Sequence, residues 1–581
     1  MKLLKSIFAI TTSFIMLLST AQSVSYSAPN KNEIAKPSAV NAEMNKIHPA
    51  LRAVMKDSSQ DIVSVIVAKS PNNSAVDTAK LLGATVKAEW EFINAFAIDI
   101  KASMLDELAT LSDVYMITEE GHVMSTKEKD EGTTDDKVAS PFDGSIIENA
   151  FNASVKADKV WEKGYTGQGV TIAVLDTGIY EGPNSDFNKR LIKSVNVNPN
   201  ASNGADKYGH GTHVAGIIAG DGKNSGGKYM GIAPDANLIS VKFADDNGMS
   251  SEMDLLNALQ WVYENKDEYN IRVVNISSTL ATKQRYQESM VSAAVELLWA
   301  SGVVVVVAAG NSGYEECSTC HAPANDPFVI TVGAVDDNGT KSTDDDYEKP
   351  WSSSGETMAG ISKPEIMAPG AKIVSYMPEG ELKKMAKGNV ENNADYFRMG
   401  GTSMAAPMVT GVVALMLEAN PNLTPNQIKY ILMHSARDYV SINKEYLQSL
   451  SREELDALDI DNIDPQYLEV AMSIPGIVSA DKAVDWALKE EVIPSANMDY
   501  QINPILTHSD DSVLHNNVTW ANVTWANVTW ANVTWANVTW ANVTWANVTW
   551  ANVTWANVTW ANVTWANVTW ANVTWANSFD Y

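Results

Sequence analysis

The sequence predicts an α/β protein: a mostly parallel sheet flanked by helices, preceded by a small ferredoxin-like α/β unit and followed by a low-complexity repeat tail. Three observations carry this. Over residues 153–490, near-continuous apolar runs ("VTIAVLD", "NLISVKF", "RVVNIS", "GVVVVVAAGN") alternate with helical segments such as "SEMDLLNALQWVYEN". Strands without polar alternation are buried on both faces, as in a parallel sheet covered by helices. Residues 55–121 follow the order βαββαβ of a ferredoxin-like sandwich. Residues 517–576 repeat the pentapeptide NVTWA without a substitution.

Taken in order, residues 1–28 read as a signal peptide. Lys2 and Lys5 precede the apolar run Ile7 to Leu18, and small residues between Ala21 and Ala28 supply cleavage points. The run is short and interrupted by Thr and Ser, which separates it from a membrane span. No later stretch approaches transmembrane length, so the expected product has no transmembrane segment and is secreted, extracellular or associated with the cell surface. In the small unit, "DIVSVIVAK" is a β-branched strand and "SAVDTAKLLG" a helix ended by Gly83. "TVKAEWEFINAFAIDI" is a hairpin broken at Asn94, "SMLDELATLSDV" a second helix, and "YMITEE" the last strand. Residues 122–152 are charged and contain Gly, Ser and Thr, the composition of an exposed linker with a maturation site. Residues 491–516 read as a second linker, and "SREELDALDIDNIDPQYLEVAMSIPG" as an acidic, solvated surface segment. The net charge is −28, and the repeat holds no ionisable side chain. Such an excess of acid disfavours nucleic acid, which needs clustered Lys and Arg.

The two cysteines, Cys317 and Cys320, stand in "CSTCH". In an oxidising compartment a close pair is most simply a disulfide; free or redox thiols remain open, as does the C-x-x-C-H haem pattern. Zinc would need further ligands that nothing nearby supplies.

Three motifs carry chemistry. "AVLDTGI" ends a strand in Asp176, "HGTHVAGIIAG" starts a helix with His210, and "GGTSMAAPMVTGVVALM" puts Ser403 in the first turn of an apolar helix. A serine hydroxyl becomes a nucleophile when a base takes its proton, and the base needs a buried carboxylate to fix its tautomer. Asp, His and Ser in this chain order form a known triad order. Ser403 gains from the helix N-terminus, Gly400 and Gly401 permit close approach, and Asn311 of "AAGNSG" can donate to an oxyanion. Each residue alone has a bland reading as a cap, turn or packing residue, as does His213. Their order and their placement at element ends argue for a site.

These segments, with "GIAP" and "GTSMAAP", resemble the subtilisin-like serine peptidases over roughly residues 155–435. The resemblance implies a subtilisin-like fold, a triad of Asp176, His210 and Ser403, and Asn311 as oxyanion donor. It also implies substrate-binding segments at Ser277, Ser278 and Thr279 and at Ala308, Ala309 and Gly310. Residues 55–121 are similar to the inhibitor-type propeptide, which makes the unit an intramolecular inhibitor. No cofactor is required for the chemistry, and protein or peptide substrates are the expected partners. Ser278 and Thr279 stand where a Leu-Gly continuation is usual, and a β-branched Thr there narrows the cleft, altering subsite preference. Met408, where His is common, reads as packing. The loop "DGKNSGGKYMG" differs in length from the one that holds a structural calcium in many relatives. Asn224 and Asp186 are candidate ligands, with a polar surface loop as the equal alternative.

The expected function is therefore a secreted serine endopeptidase made as a zymogen. Its rivals are an adhesive or surface-binding protein on a protease-like scaffold and a dedicated processing peptidase. The tail keeps three readings: a duplicated DNA unit, an appendage contacting a cell surface or glycans, and a repetitive β-structure. Because five is odd, successive Trp residues of an extended strand face opposite ways, so one aromatic face forms only if the chain turns regularly, as in a solenoid.

Overall fold

A computed structural model describes residues 46–125 and 150–507, apart from short gaps, chiefly between 443 and 474. It also describes the backbone of short strands between Thr519 and Asp580. The expected signal peptide, most of the first linker and much of the acidic segment lie outside the described residues.

The small unit contains β1 (Ile62–Lys69), β2 (Thr85–Trp90), β3 (Ala95–Lys101) and β4 (Val114–Glu119) in the order β2-β3-β1-β4. Every pairing is antiparallel. The hairpin breaks where expected: Asn94 takes a left-handed conformation after one turn of 3-10 helix, which Asn tolerates better than most residues. The unit begins earlier than residue 55, because the helix Pro49–Asp57 precedes β1 and Ile47 bridges to Ile117. Leu51, Val65, Phe96, Ile98, Leu105 and Ile117 form its own core. Its opposite sheet face, with Ile66, Trp90 and Ala97, joins the core of the larger domain. There Trp90 Nε1 donates to Asn257 Oδ1 at 2.8 Å.

The segment expected to start the linker is instead a strand, β5 (His122–Ser125). In the larger domain follow β6 (Thr171–Asp176), β7 (Leu191–Asn196), β8 (Asn237–Lys242), β9 (Ser250–Ser251), β10 (Ile271–Ile276), β11 (Ser278–Leu280), β12 (Val304–Ala308) and β13 (Ile330–Asp336). The run β13-β12-β10-β6-β8-β7 is parallel throughout. Antiparallel pairings appear at the edge beyond β13. Strands β6, β12 and β13 are buried along their whole length, which is why their sequences show no alternation.

Among the described residues one helix, Thr402–Ala419, is long and apolar enough to cross a membrane, and it is the buried core helix of the domain. Met408 is fully buried in it. Part of the second expected linker is also packed, with Ile493, Ile505 and Leu506 in the core. Asn503 clasps the Met290–Ala300 helix, its N–H donating to Glu296 Oε2 at 2.6 Å and its amide to Tyr286 O at 2.6 Å. Cys317 and Cys320 are joined as a disulfide. The loop they close lies against the end of β11: Leu280 N donates to Ala322 O at 2.7 Å and His321 Nδ1 bonds Leu280 O at 2.9 Å.

In the tail each repeat contributes a Thr-Trp-Ala strand. Thr519–Ala521 pairs in parallel with Thr539–Ala541, and that strand with Thr559–Ala561. The other repeats form three further sheets of the same kind, so four pentapeptides make one turn of a β-solenoid.

Candidate active site

Asp176 is the last residue of β6, and His210 opens the helix His210–Ala219. His210 Nδ1 lies 2.7 Å from Asp176 Oδ1, and both side chains are buried. A Cβ at Gly211 would come within 2.2 Å of Gly178 O and 3.0 Å of Asp176 Cβ. Only glycine lets the start of the helix lie this close to the strand end. Burial works against the imidazolium, but Asp176 beside it, with Asp206 further away, holds the pKa of His210 above its ordinary value. Nε2 is buried and makes no hydrogen bond among the described residues, so the ring is fixed at one nitrogen and available as a base at the other.

Ser403 is the second residue of its helix. Its Oγ donates to Ser277 O, and Ser277 Oγ donates back to Ser403 O, each at 3.0 Å. Asn275 completes the join: its amide donates to Ser277 Oγ at 3.0 Å and its Oδ1 accepts from Thr410 Oγ1 at 2.8 Å. Thr402 N and Oγ1 both donate to Asn311 Oδ1 at 3.0 Å. That fixes the amide with its oxygen toward the helix and its NH2 group the other way. Ala308 ends β12 and Ala309 follows it, while Gly310 N donates to Thr402 Oγ1 at 3.1 Å, so this segment bears on the start of the Ser403 helix.

Ser277, Ser278, Asp176, Thr177 and His210 line one cleft together with Val123 of β5. Strand β5 lies between β9 and β11, antiparallel to both. Ser125 is opposite Ser278, Met124 opposite Thr279 and Val123 opposite Leu280. Thus Ser278 and Thr279 form the edge to which the extended segment β5 is added as a strand.

Sequence reasoning missed two acidic residues. Asp206 is buried and accepts from Gly209 N at 2.7 Å, Thr212 N at 2.9 Å, Thr212 Oγ1 at 2.5 Å and Thr177 Oγ1 at 2.9 Å. It ties the residue after Asp176 to the first turn of the His210 helix. Glu252, the first residue of the Glu252–Asn265 helix, is buried, and its Oε2 accepts from Gly121 N at 3.0 Å. Burial pushes its carboxyl up to about 7 despite that donor, and Glu120 nearby adds to the rise. Neither residue sits in a recognisable motif. His213, by contrast, is a packing residue: burial lowers its pKa to about 3, and Nε2 donates to Phe397 O at 2.9 Å.

In the loop considered for calcium, both carboxylate oxygens of Asp186 accept from protein donors. Asp186 Oδ2 accepts from Tyr396 Oη, and Oδ1 from Asn224 N at 3.2 Å. The Asn224 amide donates to Asn184 O at 2.6 Å, and Arg190 donates to Asp186 O at 2.8 Å. Calcium needs six to eight oxygen lone pairs converging on one point. Here protein donors, Tyr396 O–H and Asn224 N–H, face the two carboxylate oxygens of Asp186.

A profile of the subtilase family matches residues 167–455. Serine protease AprX of Bacillus subtilis (strain 168) is 40% identical over 296 residues, which make up 50% of this chain and 66% of AprX. Subtilisin DY of Bacillus licheniformis is 32% identical over 284 residues, 48% of this chain and 89% of that protein. Subtilisin E of Bacillus subtilis (strain 168) is 30% identical over 349 residues, 60% of this chain and 76% of its own. Among solved structures, fervidolysin from Fervidobacterium pennivorans, a keratinolytic enzyme related to subtilisin, shares the fold. Its TM-score is 0.51 at 24% identity, covering 75% of this chain and 62% of fervidolysin. With its parallel sheet, its motifs at strand and helix ends and these relatives, the chain belongs to the subtilase family of serine peptidases.

Proposed function

We propose that the protein is an exported serine endopeptidase, made as a zymogen, whose triad is Asp176, His210 and Ser403. The observation that carries this is the buried His210, bonded to Asp176 through Nδ1 with Nε2 unpartnered, in the cleft whose wall residue Ser277 is joined to Ser403. Rotation of the Ser403 side chain exchanges its bond to Ser277 O for one to His210 Nε2, a contact that tightens only with substrate in many hydrolases. Ser403 Oγ then attacks the scissile carbonyl as Nε2 takes its proton. The Asn311 NH2 group and the Ser403 N–H hold the oxyanion. The leaving amine departs with the proton, and water activated by the same imidazole releases the acyl group.

The ferredoxin-like unit serves in this reading as the intramolecular inhibitor. Its support is β5, which runs directly from that unit into the place between β9 and β11. A segment seated there excludes substrate until the chain is cut beyond it.

The test is hydrolysis of a fluorogenic peptide by the secreted, matured protein. Cleavage that disappears in Ser403→Ala is expected. Asn311→Leu should lower kcat by about 10²–10³-fold with KM little changed, the loss known for this donor in subtilisin itself. Undiminished cleavage by Ser403→Ala would overturn the assignment.

A further inference from the structure

We propose that Glu252 is a specificity-determining residue of the cleft: it reads the backbone N–H of an extended peptide at the place held by Gly121 and disfavours a side chain there. This rests on the reading of β5 as a segment seated where substrate lies. Two hydrogen bonds pair Gly121 with Glu252, N–H to Oε2 at 3.0 Å and Glu252 N–H to Gly121 O at 2.8 Å. They continue the ladder made by β5 with β9 and β11, so the carboxylate replaces the carbonyl that a longer β9 would have offered.

The demand for glycine at this place is steric. Gly121 is not among the glycines with left-handed torsions, so its backbone would accept any residue. A Cβ built on it, however, comes within 2.9 Å of Glu252 Oε2 and 3.5 Å of Thr282 Oγ1. The atom met is the end of a side chain, so what opposes its moving is the hydrogen bond it would give up. With the ferredoxin-like unit in place Glu252 is 3% exposed, and its backbone is fixed by the capping box in which Ser251 and Asp254 bond each other. Turning the carboxylate away would leave both it and the peptide N–H buried without a partner. Glu252 thus filters by two criteria at once, an N–H and the absence of a Cβ, four residues before the position opposite Ser278.

The test uses the matured full-length enzyme and fluorescent peptides with the sequence of residues 118–125, carrying Gly, Ala or N-methylglycine at position 121. Binding is read by anisotropy. The wild type should bind the Gly peptide roughly ten-fold more tightly than either of the others. Glu252→Ala should bring the Ala peptide to within about two-fold of the Gly peptide, and Glu252→Gln, which keeps the acceptor and the bulk, should retain the discrimination. Equal binding of the three peptides by the wild type, or no binding, overturns the proposal even if Glu252→Ala does not fold. Hydrolysis of a short substrate ending before this position is measured in parallel. Its loss in the wild type would strike the peptidase reading, whereas hydrolysis with indifferent binding would strike only Glu252.

Discussion

At the residue scale, two carboxylates govern His210. Asp176 bonds the ring directly, while Asp206 holds the first turn of its helix and acts on the imidazole through space. The base must be neutral to accept the serine proton, and its pKa is raised. Activity should therefore fall as pH drops through a value raised from the ordinary imidazole one. In Asp206→Asn that acid limb should shift to lower pH. The kcat should fall by roughly ten- to a hundred-fold with KM nearly constant, as expected for a base displaced by less than an ångström. A pH profile of kcat/KM for both proteins checks this; an unmoved limb would make Asp206 merely structural. Asp176, His210 and Ser403 stood out in the sequence because each lies at an element end or in a first turn, inside a distinctive motif. Asp206 was not, since its partners come from two elements and nothing in "NGADKYGH" announces them.

At the scale of elements, the corner around Asp186 is held by protein donors. Asp186 is buried, and burial pushes its carboxyl up to about 6, above the unfolded value. A raised carboxyl stabilises the fold below its unfolded pKa, and that contribution is lost as pH rises through about 6. Tyr396→Phe removes the donor to this carboxylate. It should destabilise by about 1–3 kcal/mol, more at pH 8 than at pH 5, because the lost bond is strongest to the ionised form. Thermal melts at the two pH values check this, and a chelator should leave the melting temperature of the wild type unchanged.

Thr279 is 2% exposed and opposite Met124, so Thr279→Gly should broaden the residues accepted beside it. Peptide-library profiles compare the two proteins, and identical profiles would refute the role. Strand β6 could be read from its unbroken apolar run and the helix of His210 from its motif. Strand β5 could not: "HVMS" is four residues in a charged stretch, and its partners β9 and β11 lie far along the chain.

For the whole molecule, the broad architecture was legible because buried parallel strands and the pentapeptide period are both one-dimensional patterns. Domain edges were less so. The segment around Asn503 looked like a linker because its anchors, Ile505, Leu506 and one carboxylate on a distant helix, are single contacts without period. In the tail the regular turn places Trp520 opposite Trp540 and Trp540 opposite Trp560, resolving the conflict between an odd period and a strand of period two. Parallel stacking of identical residues satisfies each backbone with the next turn. The tail holds none of the residues assigned to the chemistry, so removing residues 517–581 should leave kcat/KM on a small peptide within about two-fold. A larger loss in correctly matured protein would tie the solenoid to the active site.

The central claim is that Ser403 is a nucleophile activated by His210. It is tested most directly by treating the folded, matured protein with a fluorophosphonate probe and locating the adduct by mass spectrometry. One adduct is expected, on Ser403, absent from Ser403→Ala and strongly diminished in His210→Ala. An unlabelled wild-type protein, or an adduct on another residue, would contradict it.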